Sequence, residues 1–235
     1  MYARPMPLYH RSPLYFSLLL LIAIVGFFPS FYARALEAKG LHQFHGIVAT
    51  LWMLLLIGQG WFMRSRKISV HRSVGKLSLV LVPLFAVSGL MIVHDMLTRD
   101  SGFARSFGPR LAFVDISSIV FFVFAYAMAI YHRGEMALHA RYMAATALPL
   151  LPPALSRLLG NHVAAVTSFD MAFHLSYIAS ELVVVALLLH DRKQSGKMQA
   201  PYLILFVLLL AQQASFNLSM SIAPWVGVVG WIRAL

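Results

Sequence analysis

The chain has 235 residues, of which 60% are hydrophobic and 11% charged, with a mean hydropathy of +0.77 and a formal charge of +11. That balance excludes an ordinary soluble domain, and the absence of cysteine excludes disulfides, thiolate metal sites, iron–sulfur clusters and cysteine nucleophiles. The basic residues lie in short loops between apolar runs, so the charge sets orientation in a membrane and does not indicate nucleic acid.

A span needs about 20 apolar residues to cross a bilayer core about 30 Å thick. By that measure the chain is all-α, a polytopic bundle of about seven spans in one domain covering residues 1–235. A short basic leader with Pro5 and Pro7 precedes a first span over residues 13–32, read as an uncleaved signal anchor although Ala33-Arg34-Ala35 resembles a cleavage site. Spans two and three, residues 42–63 and 74–97, flank the densest basic cluster, Arg64, Arg66, Lys67, Arg72 and Lys76. A loop with Gly102, Gly108 and Pro109 leads to span four, residues 111–131. Span five, residues 141–158, carries Pro149, Pro152 and Pro153 and is expected to be kinked or broken. Span six covers residues 167–189, Asp191, Arg192, Lys193 and Lys197 form a charged loop, and span seven covers residues 201–220. Trp225 and Trp231 suit an interfacial anchor. Twelve of the nineteen Lys and Arg fall on the side of the N-terminus, which places that side in the cytoplasm.

Ionisable groups inside a bilayer cost about 2.5–3.5 kcal/mol each on the insertion scale, so they face the bundle interior and mark candidate sites. Asp170, His174, Tyr177 and Glu181 share one face of span six, with Glu181 near the midplane. His42 and His45 open span two, His94 and Asp95 end span three, Asp115 lies one turn into span four, and Asn217 and Ser219 lie near the outer end of span seven. If these helices adjoin, His45, His94, Asp115, Asp170 and His174 converge on an outward-facing pocket whose imidazoles and carboxylates suit zinc, copper or iron. In that reading His45, His94 and His174 bind the cofactor, and Glu181 and Asp115 are the candidate catalytic acids or bases of a metal-dependent membrane enzyme. The competing reading has the same groups hydrogen-bonding between helices or lying among lipid headgroups.

A second set, His71, His132, His139 and His190, lies at helix ends on the inner side. Contact with lipid headgroups accounts for it; the alternative is haem b held by paired imidazoles in an electron carrier for haem or quinone. His45, Trp52 and Gln59 recur every seven residues on one face of span two, a stripe expected to pack into the bundle. A proton-coupled transporter using Glu181 and Asp115, and an accessory subunit with a membrane-protein partner, are further readings. No Gly-x-Ser-x-Gly elbow, phosphate-binding loop, His-Glu-x-x-His helix or dinucleotide fingerprint is present.

The stretch His45-Gly46, Trp52, Gln59 and His71-Arg72-Ser73-Val74-Gly75-Lys76 resembles a group of uncharacterised bacterial membrane proteins with a His-Gly span followed by His-Arg-x-x-Gly. The likeness continues at His139-Ala140-Arg141-Tyr142-Met143 and at His190-Asp191. It implies a seven-helix protein of the bacterial inner (plasma) membrane and no particular chemistry. A remoter similarity to cytochromes of the b561 type rests on histidines at helix ends, and no ligand is carried over from it because the pairing pattern is missing.

Overall fold

The computed structural model describes residues 10–34 and 40–235; Pro5, Pro7 and Ala35 lie outside the described residues. Every regular element among the described residues is helical. In chain order these are α1 (Ser12–Phe27), α2 (Gly40–Arg64), α3 (Ile68–Gly75), α4 (Ser78–Thr98), α5 (Gly102–Tyr131), α6 (Met136–Ala147), α7 (Leu151–His162), α8 (Phe169–Ser195), α9 (Ala200–Leu218) and α10 (Ala223–Arg233). Five helical stretches are long and apolar enough to cross a membrane: Gly40–Arg64, Ile68–Thr98, Gly102–Tyr131, Phe169–Ser195 and Ala200–Ser221. Their outer faces carry exposed Leu54, Leu79, Val120, Leu182 and Val207, side chains that only lipid tails solvate without cost. The chain is an integral membrane protein built as a helical bundle.

The helices close a ring. α1 packs on α2 and α7, α2 on α4, α4 on α5, α5 on α9, α9 on α8, and α8 on α7. Small residues let these helices approach closely, since lipid offers no hydrophobic drive for association and contact area must do the work. Gly26 of α1 lies so near the Ala154 carbonyl of α7 that a Cβ has no room, and Gly89 of α4 lies against the tip of the Ile119 side chain of α5. The expected break in the fifth span is present: α6 ends at Ala147, a 3-10 turn covers Leu148–Leu150, and α7 begins at Leu151. Pro149 and Pro152 withhold the amides that would have continued the ladder. The break moves the chain sideways, because α6 lies against α5 and α9 while α7 lies against α1 and α8.

Three boundaries differ from the sequence expectation. Gly108 and Pro109 belong to α5 and not to a loop, because Ser101 caps that helix by accepting the Ala104 N–H at 3.1 Å. The basic cluster after α2 is divided by a short helix, with His71 and Arg72 inside α3 and Arg66, Lys67 and Lys76 in the turns on either side of it. α8 continues to Ser195 and stops at Gly196, whose φ of 72° is the left-handed conformation that ends helices. Asp191 is therefore a helical residue, and its carboxylate is fully buried.

The partner of Asp191 is Arg141 of α6. Arg141 Nε donates to Asp191 Oδ2 at 2.8 Å and Nη2 to Oδ1 at 2.7 Å, while Nη1 donates to the Ala137 carbonyl at 2.9 Å. Both side chains are 1% exposed. This planar two-point pairing joins the first half of the broken span to α8. Removing one member strands the other charge in an apolar core, at a cost of about 3–5 kcal/mol. Arg141→Met is thus expected to lower the unfolding temperature in detergent sharply, and Arg141→Met combined with Asp191→Leu to regain most of the loss. Equal destabilisation by the single and double variants would show that the pair does not act as a unit.

Candidate functional site

The loops joining α2 to α3, α5 to α6 and α8 to α9 lie at one end of the bundle, here the basic end; the ends of α1, α4, α7 and α9 lie at the far end. The five residues expected to form a metal pocket are all in the far half, but they are dispersed. His45 Nδ1 bonds Ser88 Oγ at 2.9 Å, and its ring stacks on Phe85. His94 has no side-chain hydrogen bond among the described residues; Asp95 beside it pairs with Arg99, which also reaches His42 Nε2 at 3.2 Å. Asp170 faces Arg110 at 3.9 Å, and His174 Nε2 lies 3.3 Å from Asn217 Nδ2. Among the described residues no three His, Asp or Glu side chains are grouped to hold a metal ion. Similar depth in four helices did not give a common direction.

Asp115 is different. Its carboxylate on α5 has no hydrogen bond or ion pair among the described residues, and the nearest opposite charge is Arg157 on α7. The two side chains are surrounded by protein yet accessible to solvent, Asp115 in part and Arg157 freely. Charged groups with both properties fit a water-filled space inside the bundle. The guanidinium of Arg157 lies 4.4 Å over the Phe27 ring of α1 and donates to the Pro153 carbonyl at 3.2 Å. The broken span thus carries a cation into the far half of the bundle, on the helix its prolines displaced.

A hydrogen-bonded belt runs beside this space. Tyr177 of α8 donates to Gln212 Oε1 of α9 at 3.1 Å, and the Gln212 amide nitrogen lies 2.9 Å from both Ser117 and Ser118 Oγ and 3.2 Å from the Val114 carbonyl of α5. Tyr177 feels the charges of both Asp115 and Glu181. Glu181 stands at the flank of the buried face of α8, partly exposed, with Oε1 buried and unpartnered among the described residues.

At the basic end the structure joins residues that the sequence reading assigned to headgroup contact. The inward stripe of α2 ends at Gln59, which is buried against α3. Its carboxamide orientation follows from its neighbours. Gly75 N–H can only donate and the His71 carbonyl can only accept, so the oxygen faces Gly75 N at 3.2 Å and the nitrogen faces His71 O at 3.1 Å and His71 Nδ1. The His71 ring stands 6.4 Å from that of His139 on α6, with the planes at 82°. His139 Nδ1 bonds the Ala129 carbonyl at 2.8 Å. Nearby, Tyr126 bonds Ser78 at 2.8 Å, and Ser78 Oγ donates to the Gly75 carbonyl at 2.6 Å. His132 pairs with Glu135 at 3.1 Å, and His190 has a buried Nε2 with no hydrogen-bond partner among the described residues. Arg157, Gln212 and Asp191 were missed as site residues. The first resembles any loop-proximal cation, the second any polar residue in an apolar run, and the third is followed directly by Arg192 and Lys193.

Two surface grooves, of about 490 and 510 Å³, have nearly wholly apolar walls and open to the bundle exterior, one between α5 and α9 and the other between α2 and α4. They suit acyl chains and hold none of the charged groups. No protein family model, curated protein or solved structure matches this chain.

Because the chain has no cysteine, the wet space is testable with single introduced thiols. Asp115→Cys and Arg157→Cys are expected to react with a water-soluble, membrane-impermeant maleimide added from one side, and Leu205→Cys, in the dry core, to resist it. Protection of both Asp115→Cys and Arg157→Cys from either side would close the space.

Proposed function

We propose that this protein is a proton-translocating carrier of the inner membrane, with Asp115 as the proton-accepting carboxylate of an outward chamber. In this reading the chain crosses seven times. α1 and the broken α6–α7 segment add two crossings to the five long stretches, and the N-terminus and the basic end face the cytoplasm by the distribution of Lys and Arg.

One observation carries the reading: Asp115 and Arg157 act on each other at a distance without an ion pair among the described residues, and both side chains keep exposed surface. A structural ion pair closes, as Arg141 and Asp191 do. A carboxylate left open to water, held by a cation at a distance, is free to take a proton and release it. Arg157 sets how readily that happens, and because it rides on the half-helix after the break, movement of α7 changes the field at Asp115. Further polar pairs lie towards the basic end, His45 with Ser88 and then Tyr126 with Ser78 beside Gln59, His71 and His139, with buried Trp52, Val82 and Phe122 between the first two pairs. Glu181 lies off this line and is assigned no step.

The metal-dependent enzyme with zinc, copper or iron has no group of three His, Asp or Glu side chains among the described residues to support it, and the haem b or quinone carrier is a second alternative. They enter as outcomes of the test. In liposomes clamped with potassium and valinomycin and filled with a pH-sensitive dye, the purified protein is expected to admit protons well above the empty-vesicle rate. Asp115→Asn is expected to lose at least tenfold, and Asp170→Asn to stay near the wild-type rate. Wild-type flux no faster than that of empty vesicles sinks the proposal, as does unchanged flux in Asp115→Asn. A Soret band or stoichiometric metal in the same preparation would return the weight to the electron-carrier or metal reading.

A further inference from the structure

The apolar groove between α2 and α4 has a definite length and a definite end. Its α2 wall runs from Leu51 to Phe62, and its other wall from Val74 to Leu81. At about 1.5 Å per helical residue the α2 wall is about 16 Å long, which is the depth of one leaflet in a hydrocarbon core about 30 Å thick. The groove is therefore one acyl chain long. Trp61, exposed beside Phe62, is of the residue type that settles at the membrane–water boundary and marks this end of the groove as headgroup level.

At that level the chain passes from groove wall to cationic cluster. Lys67 N–H donates to the Phe62 carbonyl at 2.8 Å and Arg66 N–H to the Met63 carbonyl at 3.1 Å, which closes the end of α2 with Arg66 at a φ of 57°. Glycine takes this left-handed conformation without steric cost and arginine does not, so a cation stands where a glycine fits better. On the opposite wall Arg72, Lys76 and Val80 recur every four residues within the helical stretch Ile68–Thr98, and the two cations share an edge with a wall residue. Helical side chains lean towards the N-terminus of their helix, here the basic end, and the long stem of Lys76 carries its charge further that way. Arg64, Arg66, Lys67, Arg72 and Lys76 are all exposed. None of them pairs with a carboxylate among the described residues, whereas Arg99, Arg105 and Arg110 at the far end each face an aspartate.

We propose that the groove between α2 and α4 binds one anionic phospholipid, with an acyl chain along the apolar walls and the phosphate held by Arg66, Lys67 and Lys76. Charge chooses the headgroup. A zwitterionic lipid brings its own ammonium to its phosphate, while an anionic lipid leaves that charge for the protein's unpaired cations to neutralise. The groove between α5 and α9 has similar size and apolar walls but no such cluster, and Arg110, one turn before its wall residue Phe113, already faces Asp170. The lipid site rests on the bundle lying in a membrane and is independent of proton transport.

The test is native mass spectrometry of the full-length protein, extracted in mild detergent from vesicles holding equal parts of phosphatidylglycerol and phosphatidylcholine. The expected result is a monomer that retains one phosphatidylglycerol, at least tenfold in excess over phosphatidylcholine. Two kinds of variant separate the groove from the charge. A Cβ at Gly58, on the groove wall, meets nothing nearer than the Phe62 ring at 3.8 Å, so Gly58→Leu has room to fold, fills the groove and is expected to lose at least tenfold of the retained phosphatidylglycerol. Leu54→Trp, on the exposed side of the same wall, serves if Gly58→Leu does not fold. Arg66→Gly combined with Lys76→Gln is expected to retain the two lipids equally, with an unfolding temperature no lower than that of the wild type because the left-handed residue is now glycine. Equal retention of both lipids by the wild type overturns the proposal, as does an undiminished preference in the cation variant. Phosphatidylglycerol kept by the folded groove variant shows binding to surface charge alone, its displacement by inorganic phosphate shows a free-anion site, and a dimer mass abolished by Gly58→Leu shows a second copy of the chain in the groove. Each of these three results also overturns it.

Discussion

The buried pair Arg141–Asp191 is the constraint from which the arrangement of the bundle follows. Two charges inside an apolar core are costly unless every donor and lone pair is used, and here the guanidinium spends two groups on the carboxylate and a third on the Ala137 carbonyl. The pair therefore tolerates little displacement. It holds α6 against its neighbours at the basic end, with Tyr142, Tyr202 and Leu205 packed in the same core. The chain then meets Pro149, Pro152 and Pro153, which α6 cannot extend through as a straight helix. With one half fixed and the ladder broken, the second half leans towards α1 and α8, where Gly26 and Ala154 let the backbones meet.

The two halves of the bundle differ as a result. Near the basic end α6 occupies the space beside α5 and α9, and Arg141, His139 and Tyr126 are each held there by hydrogen bonds. In the far half α7 is drawn to another wall, and the charges it faces are left apart. The same protein thus holds a closed ion pair, Arg141–Asp191, and two opposite charges, Asp115 and Arg157, that act on each other without pairing. Surface exposure alone does not make that distinction. Arg105 with Asp100 is exposed and paired at the far end, and pairs of that kind contribute little to stability or function.

The helical bundle was legible because hydropathy and chain length leave few alternatives in a bilayer. The broken span was legible because proline acts locally, and the stripe of His45, Trp52 and Gln59 because helical period is a property of one segment. What failed was the step from depth to proximity. His45, His94, Asp115, Asp170 and His174 do lie in the same half, but each points where its own helix turns it, and azimuth between helices is set by packing that no single segment encodes. Asp191 was hidden by the opposite effect: its neighbours Arg192 and Lys193 resemble a loop, while Gly196 delays the end of the helix by a further turn. The candidate site was half legible, since Asp115 was visible and Arg157, on the displaced half-helix, was not.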